Sequence, residues 1–177
     1  MSEPPDPITQ AKEYQEYLLE ALGPDDPSRA QATTPATLRE LVADAGNDLR
    51  TPPAPGEWSA LECVAHITGA EIVCTARYRW ILAHDEPPLI GYDQDLWVSR
   101  LPQDREDPSQ LLDLFEALRV ANVRLWNGST EAERARFGVH AERGPESFDL
   151  LFRMMGGHDR IHTEQVRRAL ATVRGAA

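Results

Sequence analysis

The chain has 177 residues, 41% of them hydrophobic, and carries 29 acidic residues against 18 basic ones, for a net charge of −11. That length suits a single domain closing one core. The acidity repels a phosphate backbone and no basic stripe interleaved with aromatics offsets it, so nucleic acid is not an expected partner. No apolar run approaches bilayer-spanning length, so neither is a membrane.

The N-terminal MSEPPDP lacks the positive start and apolar centre of a secretion signal, and a cytoplasmic protein is expected. Aromatic residues make up only 7% of the chain, so the core should be aliphatic and alanine-rich. Cys63 and Cys74 fall eleven residues apart on one expected helix, too far along its axis to bridge. They read as reduced, buried small residues.

In chain order, residues 8–22 carry a helical pattern that stops at GPDDP. A second helix is expected over residues 34–48, with Thr34 as cap and Pro35 at the first helical position. After the rigid connector TPPAPGE, Ser59 and Glu62 form a capping box, opening a helix that can run to about residue 84. Residues 85–108 read as a loop with one short helix at QDLWVSR. Asp107, Pro108 and Ser109 start the next helix, which Asn127 and Gly128 stop. A helical turn at 130–136 and the connector ERGPES lead into a last helix over residues 147–174. Strand alternation is nowhere sustained. The fold expected is all-α, an antiparallel four-helix bundle with an additional N-terminal helix. Residues 1–33 would be an extension with that one helix, packed on a bundle formed by residues 34–177.

The last helix holds GGHDRIHTEQV. Counting turns from His158 puts Leu151, Met154, Met155, Ile161, His162, Gln165 and Ala169 on its side, with Arg153, Arg160, Thr163, Glu164 and Arg167 opposite. Side chains at i and i+4 lie one turn apart, so the two imidazoles can converge on one ion. His66 occupies the buried face of the earlier helix with Cys63, Gly69, Ala70 and Val73. Gly69, Gly156 and Gly157 read as space left beside the imidazoles for an ion and its extra ligand. Three neutral imidazoles suit Zn²⁺ or Ni²⁺ and leave a coordination position open. Three satisfied core histidines remain the plain alternative.

Trp58, Ser59, Glu62 and His66, followed some ninety residues later by His158, His162 and Gln165, resemble the DinB/YfiT-like family of metal-binding four-helix bundles. The segment PPLIGYDQDLW resembles the loop of that family. The resemblance spans most of residues 34–174 and implies His66, His158 and His162 as a three-histidine metal site. It also implies a homodimer.

Other residues carry two readings. Glu62 is a candidate general base, but its capping box explains it without chemistry. Gln165 is a candidate to hydrogen-bond a ligand or to span helices. Cys63, one turn before His66, reads as a core cysteine rather than a ligand. Tyr92, Asp93 and Trp97 in the long loop are candidates for the pocket mouth. Arg143 and Glu146 are candidates to touch a substrate carboxylate or amine. His84 and His140 fall in linkers and are expected to be solvated.

Relatives implied by the resemblance include S-transferases and isomerases that use low-molecular-weight thiols, alongside metal-dependent hydrolases. A hydrolase needs a base near the bound water. The one same-face carboxylate, Glu62, has another role, which favours thiol transfer to a small-molecule substrate. A non-catalytic metal or small-ligand binding protein is the remaining alternative. A deep pocket opening at the metal marks an enzyme; a fourth protein ligand closing it marks a structural site.

Overall fold

The computed structural model describes residues 4–7, 9–101 and 105–175. Ile8, where the first helix was expected to begin, lies outside the described residues. The helices are α1 (Ala11–Leu22), α2 (Pro27–Ala43), α3 (Ala60–Ala83), α4 (Gln94–Arg100), α5 (Pro108–Gly128), α6 (Glu131–Arg134) and α7 (Phe148–Gly175), with a 3₁₀ segment at Gly46–Arg50. No helix among the described residues is long and apolar enough to cross a membrane.

Local signals set most of the starts. Ser59 accepts the Glu62 N–H while the Glu62 carboxylate accepts the Ser59 N–H, so the capping box opens α3 where expected. Asp107 accepts from Ser109 and Gln110 at the start of α5. The second helix differs from its expected 34–48. It begins at Pro27 under an Asp26 cap that accepts the Arg29 N–H, and it ends at Ala43. Both positions offer a capping residue followed by proline. The earlier one prevails because the extra turns bury Gln31 and Thr34 against the bundle. Pro35 is therefore interior, and the Thr34 hydroxyl donates to the Asp159 carboxylate instead of capping a helix. The expected division of the chain at residues 33 and 34 accordingly falls inside α2.

Four helices close the bundle, and their contacts fix its directions. Along α2 and α7 the pairs run Gln31 with Phe152, Thr34 with Asp159 and Asp44 with Arg174, so these neighbours are parallel. Along α2 and α5 they run Gln31 with Arg119 and Arg39 with Glu116, an antiparallel pair. On α3 and α7, His66 meets His158 and Tyr78 meets Phe148, again antiparallel. α3 and α5 run the same way: Leu61 and Val64 share a core with Leu112 and Phe115, while Thr75 reaches Asn122. The order is up, down, down, up, and each helix has one antiparallel and one parallel neighbour. A parallel α3–α5 pair requires the chain to travel back along the bundle between them. That return, residues 84–107, carries α4 across the outside of α3.

Fifteen of the 24 residues of α3 are buried, as suits a helix covered on every side. One apolar cluster joins its first half to Leu112, Phe115, Val166 and Leu170. A second joins its later half to Trp126, Phe148, Phe152 and Met155, with Trp126 stacked on Phe152 at 4.3 Å between centroids. Between them lies a belt of buried polar side chains: Gln31, His66, Glu71, Arg119, Asn122, His158 and Asp159.

A small sheet corrects the expectation of no strands. β1 (Pro88–Leu89) pairs in parallel with β2 (Phe137–His140), which pairs antiparallel with β3 (Gly144–Ser147). Strands of two to four residues are too short to show a period. This sheet buries His140 to 1% exposure, contrary to the expected solvation, while His84 is exposed as expected. Cys63 and Cys74 are free and buried.

α1 packs along α7, outside the ring of four. A Cβ on Gly157 would stand 1.8 Å from the Leu18 carbonyl oxygen, and one on Gly156 would stand 3.0 Å from Leu22. A Cβ on Gly69 would meet the Trp97 ring at 3.2 Å. These glycines therefore admit the backbone of α1 and the ring of Trp97. They do not hold space open for an ion, as the sequence had suggested.

Candidate metal centre

α3 delivers His66 and α7 delivers His158 and His162 to the middle of the bundle, where one ligand nitrogen from each ring lies within 4.8 Å of the others. Among the described residues no Cys, Asp or Glu joins the group. His66 Nε2 and His158 Nε2 are 3.0 Å apart. Trp58, from the connector before α3, covers the cluster with its ring centroid 5.0 Å from that of His66.

Burial pushes the His66 imidazole down to about 3 and that of His162 down to about 4, and holds His158 well below its usual range. His162 adds to the effect on both its neighbours. All three rings are therefore neutral at neutral pH and present lone pairs, the form in which imidazole binds a metal. Gln165, one turn after His162, accepts from His162 Nδ1 at 2.8 Å, which leaves Nε2 of that ring as the free lone pair. His158 Nδ1 is buried without a partner. Two neutral imidazole nitrogens at 3.0 Å repel unless a proton or a cation lies between them. Metal bonds of about 2.0–2.1 Å to imidazole accommodate that spacing. The donor set is thus suited to a divalent transition metal, with a coordination position not closed by protein.

Two openings reach the cluster. A cavity of about 210 Å³ extends to His158 between α1, α3, α7 and the return segment. A groove of about 630 Å³ reaches His162 and Gln165 past Trp58 and Arg168. α1 supplies Tyr14 and Leu18 to the cavity wall, so the N-terminal helix takes part in the site.

The expected site residues divide accordingly. His66, His158 and His162 come together. Glu62 is engaged with the Ser59 N–H and hydroxyl at 2.7 and 2.8 Å, so it serves the helix start. Gln165 orients a histidine. Tyr92, Asp93 and Arg143 line the cavity. Trp97 covers Gly69 and packs on Tyr92, 4.8 Å between centroids. Arg143 and Glu146 pair with each other at 2.6 and 3.0 Å, which leaves neither charge free for a substrate. Thr163, assigned to the outer face of the last helix, is buried, as is Asp159; both face α2, which the expected 34–48 helix left out of register. Sequence reasoning missed Arg77 and His140, which line the same cavity. Arg77 had a legible signal: with Ala70 and Cys74 it continues the His66 stripe at helical spacing.

A four-helix bundle running up, down, down, up, with three histidines converging at its middle, defines the class of protein. The chain belongs to the DinB superfamily, whose model matches residues 13–166. That span begins within α1. Among solved structures it is similar in fold to YfiT from Bacillus subtilis, described as a probable metal-dependent hydrolase with an unusual four-helix bundle topology. The TM-score is 0.69 at 20% identity, covering 96% of this chain and 94% of that one. No curated protein matches the chain in sequence.

Proposed function

We propose that this protein is a metal-dependent enzyme in which His66, His158 and His162 hold a divalent transition metal, zinc or nickel, and in which a low-molecular-weight thiol is activated for S-transfer or isomerisation of a small-molecule substrate. The observation that carries the reading is a cluster of three neutral imidazoles, open to two pockets, with no carboxylate in the group. A structural site would bring a fourth protein ligand. A bound divalent ion lowers the pKa of a coordinated thiol or water and so supplies a nucleophile at neutral pH.

The chain's own groups do the rest. Gln165 fixes the tautomer of His162. Trp58 and the apolar wall of Leu151, Met154 and Met155 keep bulk water from the histidines. The cavity at His158 and the groove at His162 give two approaches, which suits two reactants meeting at one centre. Hydrolysis is the second reading, supported by the description of YfiT. It asks for a base beside the water, and Glu62 is held in its capping box.

The test is to incubate the zinc- and nickel-loaded protein with an electrophile such as monochlorobimane, with and without small thiols. Thiol consumption that needs both metal and protein, and vanishes in His158→Ala, supports S-transfer. Metal-dependent turnover of ester substrates without any thiol would move the assignment to the hydrolase reading.

A further inference from the structure

Three arginines lie in the interior near the site, and they differ in one respect. Arg119 is paired with Glu71 and Asp159. Arg143 is paired with Glu146. Arg77, 4% exposed, has no carboxylate partner among the described residues. One of its Nη atoms donates to the Ile90 carbonyl at 2.5 Å and lies 3.3 Å from His140 Nε2, and its Nε is buried without a partner. A guanidinium is always charged, and a buried charge without a counterion is costly. This one lines the cavity that ends at His158.

We propose that the cavity binds a small organic carboxylate, whose anionic end pairs with Arg77 while the rest of the molecule extends toward the histidine cluster. At the cavity wall the guanidinium can offer a carboxylate a charge-assisted hydrogen bond and the counterion it lacks. One unpaired cation matches one negative charge rather than the two of a phosphate monoester. Asp6, Asp93, Asp95 and Glu142 also line the cavity, but all four are exposed. They form a negative rim that opposes a second charge on the ligand. Neutral His140 accepts from Arg77 and holds the guanidinium in place; burial and the nearby Arg143 keep its imidazole below the usual range. Arg77 is eleven residues beyond His66 on one helix, so their Cα atoms stand about 16 Å apart at 1.5 Å rise per residue. The ligand is accordingly elongated, with its anion at the far end of the cavity from the metal ligands. The proposal names the substrate class of the metal centre and rests on that reading only for what the other end of the ligand does.

Calorimetric titration separates the two. The probes are 6-mercaptohexanoate and 6-mercaptohexanol against the zinc-loaded protein, and hexanoate against the metal-free protein. The acid should bind at least tenfold more tightly than the alcohol. Arg77→Met should erase that preference, with Arg77→Lys retaining part of it, and hexanoate should bind the metal-free protein only when Arg77 is present. Equal affinity for acid and alcohol in the unmodified protein would overturn the proposal, whether or not the variants fold. Preference for the acid with no gain from zinc in either thiol would sustain the carboxylate site and remove the metal reading instead.

Discussion

The polar belt across the bundle has two halves that solve the same problem differently. In one half, Arg119 sits between Glu71 at 2.9 Å and Asp159 at 2.5 Å, with Gln31 at 2.8 Å and the Phe115 ring beneath it. Asn122 donates to Glu71, and Thr34 to Asp159. All four bundle helices contribute, and the side chains answer one another. Burial pushes the Glu71 and Asp159 carboxyls up, and the guanidinium between them pulls them back. In the other half, His158 Nδ1 and Arg77 Nε have no partner, and two imidazole nitrogens face each other at 3.0 Å. Both halves leave one guanidinium Nε without a hydrogen-bond partner, but the first pairs its buried guanidinium with two carboxylates and the second offers Arg77 none among the described residues. Buried charges are nearly always paired, so the half without a counterion is the candidate for binding.

Breaking the complete half should cost the most. Arg119→Met leaves two carboxylates without their counterion and should lower stability by about 3–5 kcal/mol, read as a shift in the urea midpoint. His158→Ala in metal-free protein opens a cavity but leaves no charge unpaired, and should cost less, about 1–2 kcal/mol. If the two variants are equally destabilised, the division between structural and binding halves is wrong.

Next comes Gly157→Ala. The added Cβ meets backbone rather than a movable side chain, so α1 must shift, at about 1–3 kcal/mol. Limited proteolysis should cut α1 first, and ligand affinity in the cavity should fall with its wall. Unchanged protection of α1 would contradict the packing described here.

Gln165→Leu sharpens the comparison without touching the fold. Losing the acceptor that orients His162 should weaken metal affinity about 10–100-fold while leaving the melting temperature of the metal-free protein unchanged. A drop in melting temperature with metal affinity intact would make Gln165 a packing residue.

The smallest effect is in pH. The folded imidazoles lie below the unfolded value of about 6.5, so the unfolded chain binds more protons as the medium is acidified. Stability of the metal-free protein should be level above about pH 6.5 and decline below it, toward the folded values of about 4 for His162 and about 3 for His66. Burial holds the Glu71 and Asp159 carboxyls above their usual range, so what reports the histidines in the interval from about pH 5 to 6.5 is the part of the slope that a histidine substitution removes. His66→Gln should flatten that interval, and a slope unchanged in the variant would assign it elsewhere.

Much of this was legible in the sequence because it is local. Ser59 with Glu62, and Asp107 with Pro108, act within one turn, and helical spacing alone put His158 and His162 on one face. What failed depended on partners distant in the chain. Thr34 with Pro35 looked like a start because the burial that extends α2 back to Pro27 comes from α5 and α7. The glycines looked like room for an ion because the helix and the ring that fill that room lie about 140 and 30 residues away. His140 looked solvated because a four-residue strand carries no period. Arg119 and Asp159 passed unnoticed because charge in a sequence reads as surface until its counterion is known.

The most direct test of the account is the metal content of the purified, untagged protein by elemental mass spectrometry, beside a His158→Ala, His162→Ala double variant. One divalent transition metal per chain, absent from the variant, is the predicted result. No metal bound even after incubation with Zn²⁺ or Ni²⁺, in a protein that is otherwise folded, would contradict it and return the three histidines to the core as polar residues alone.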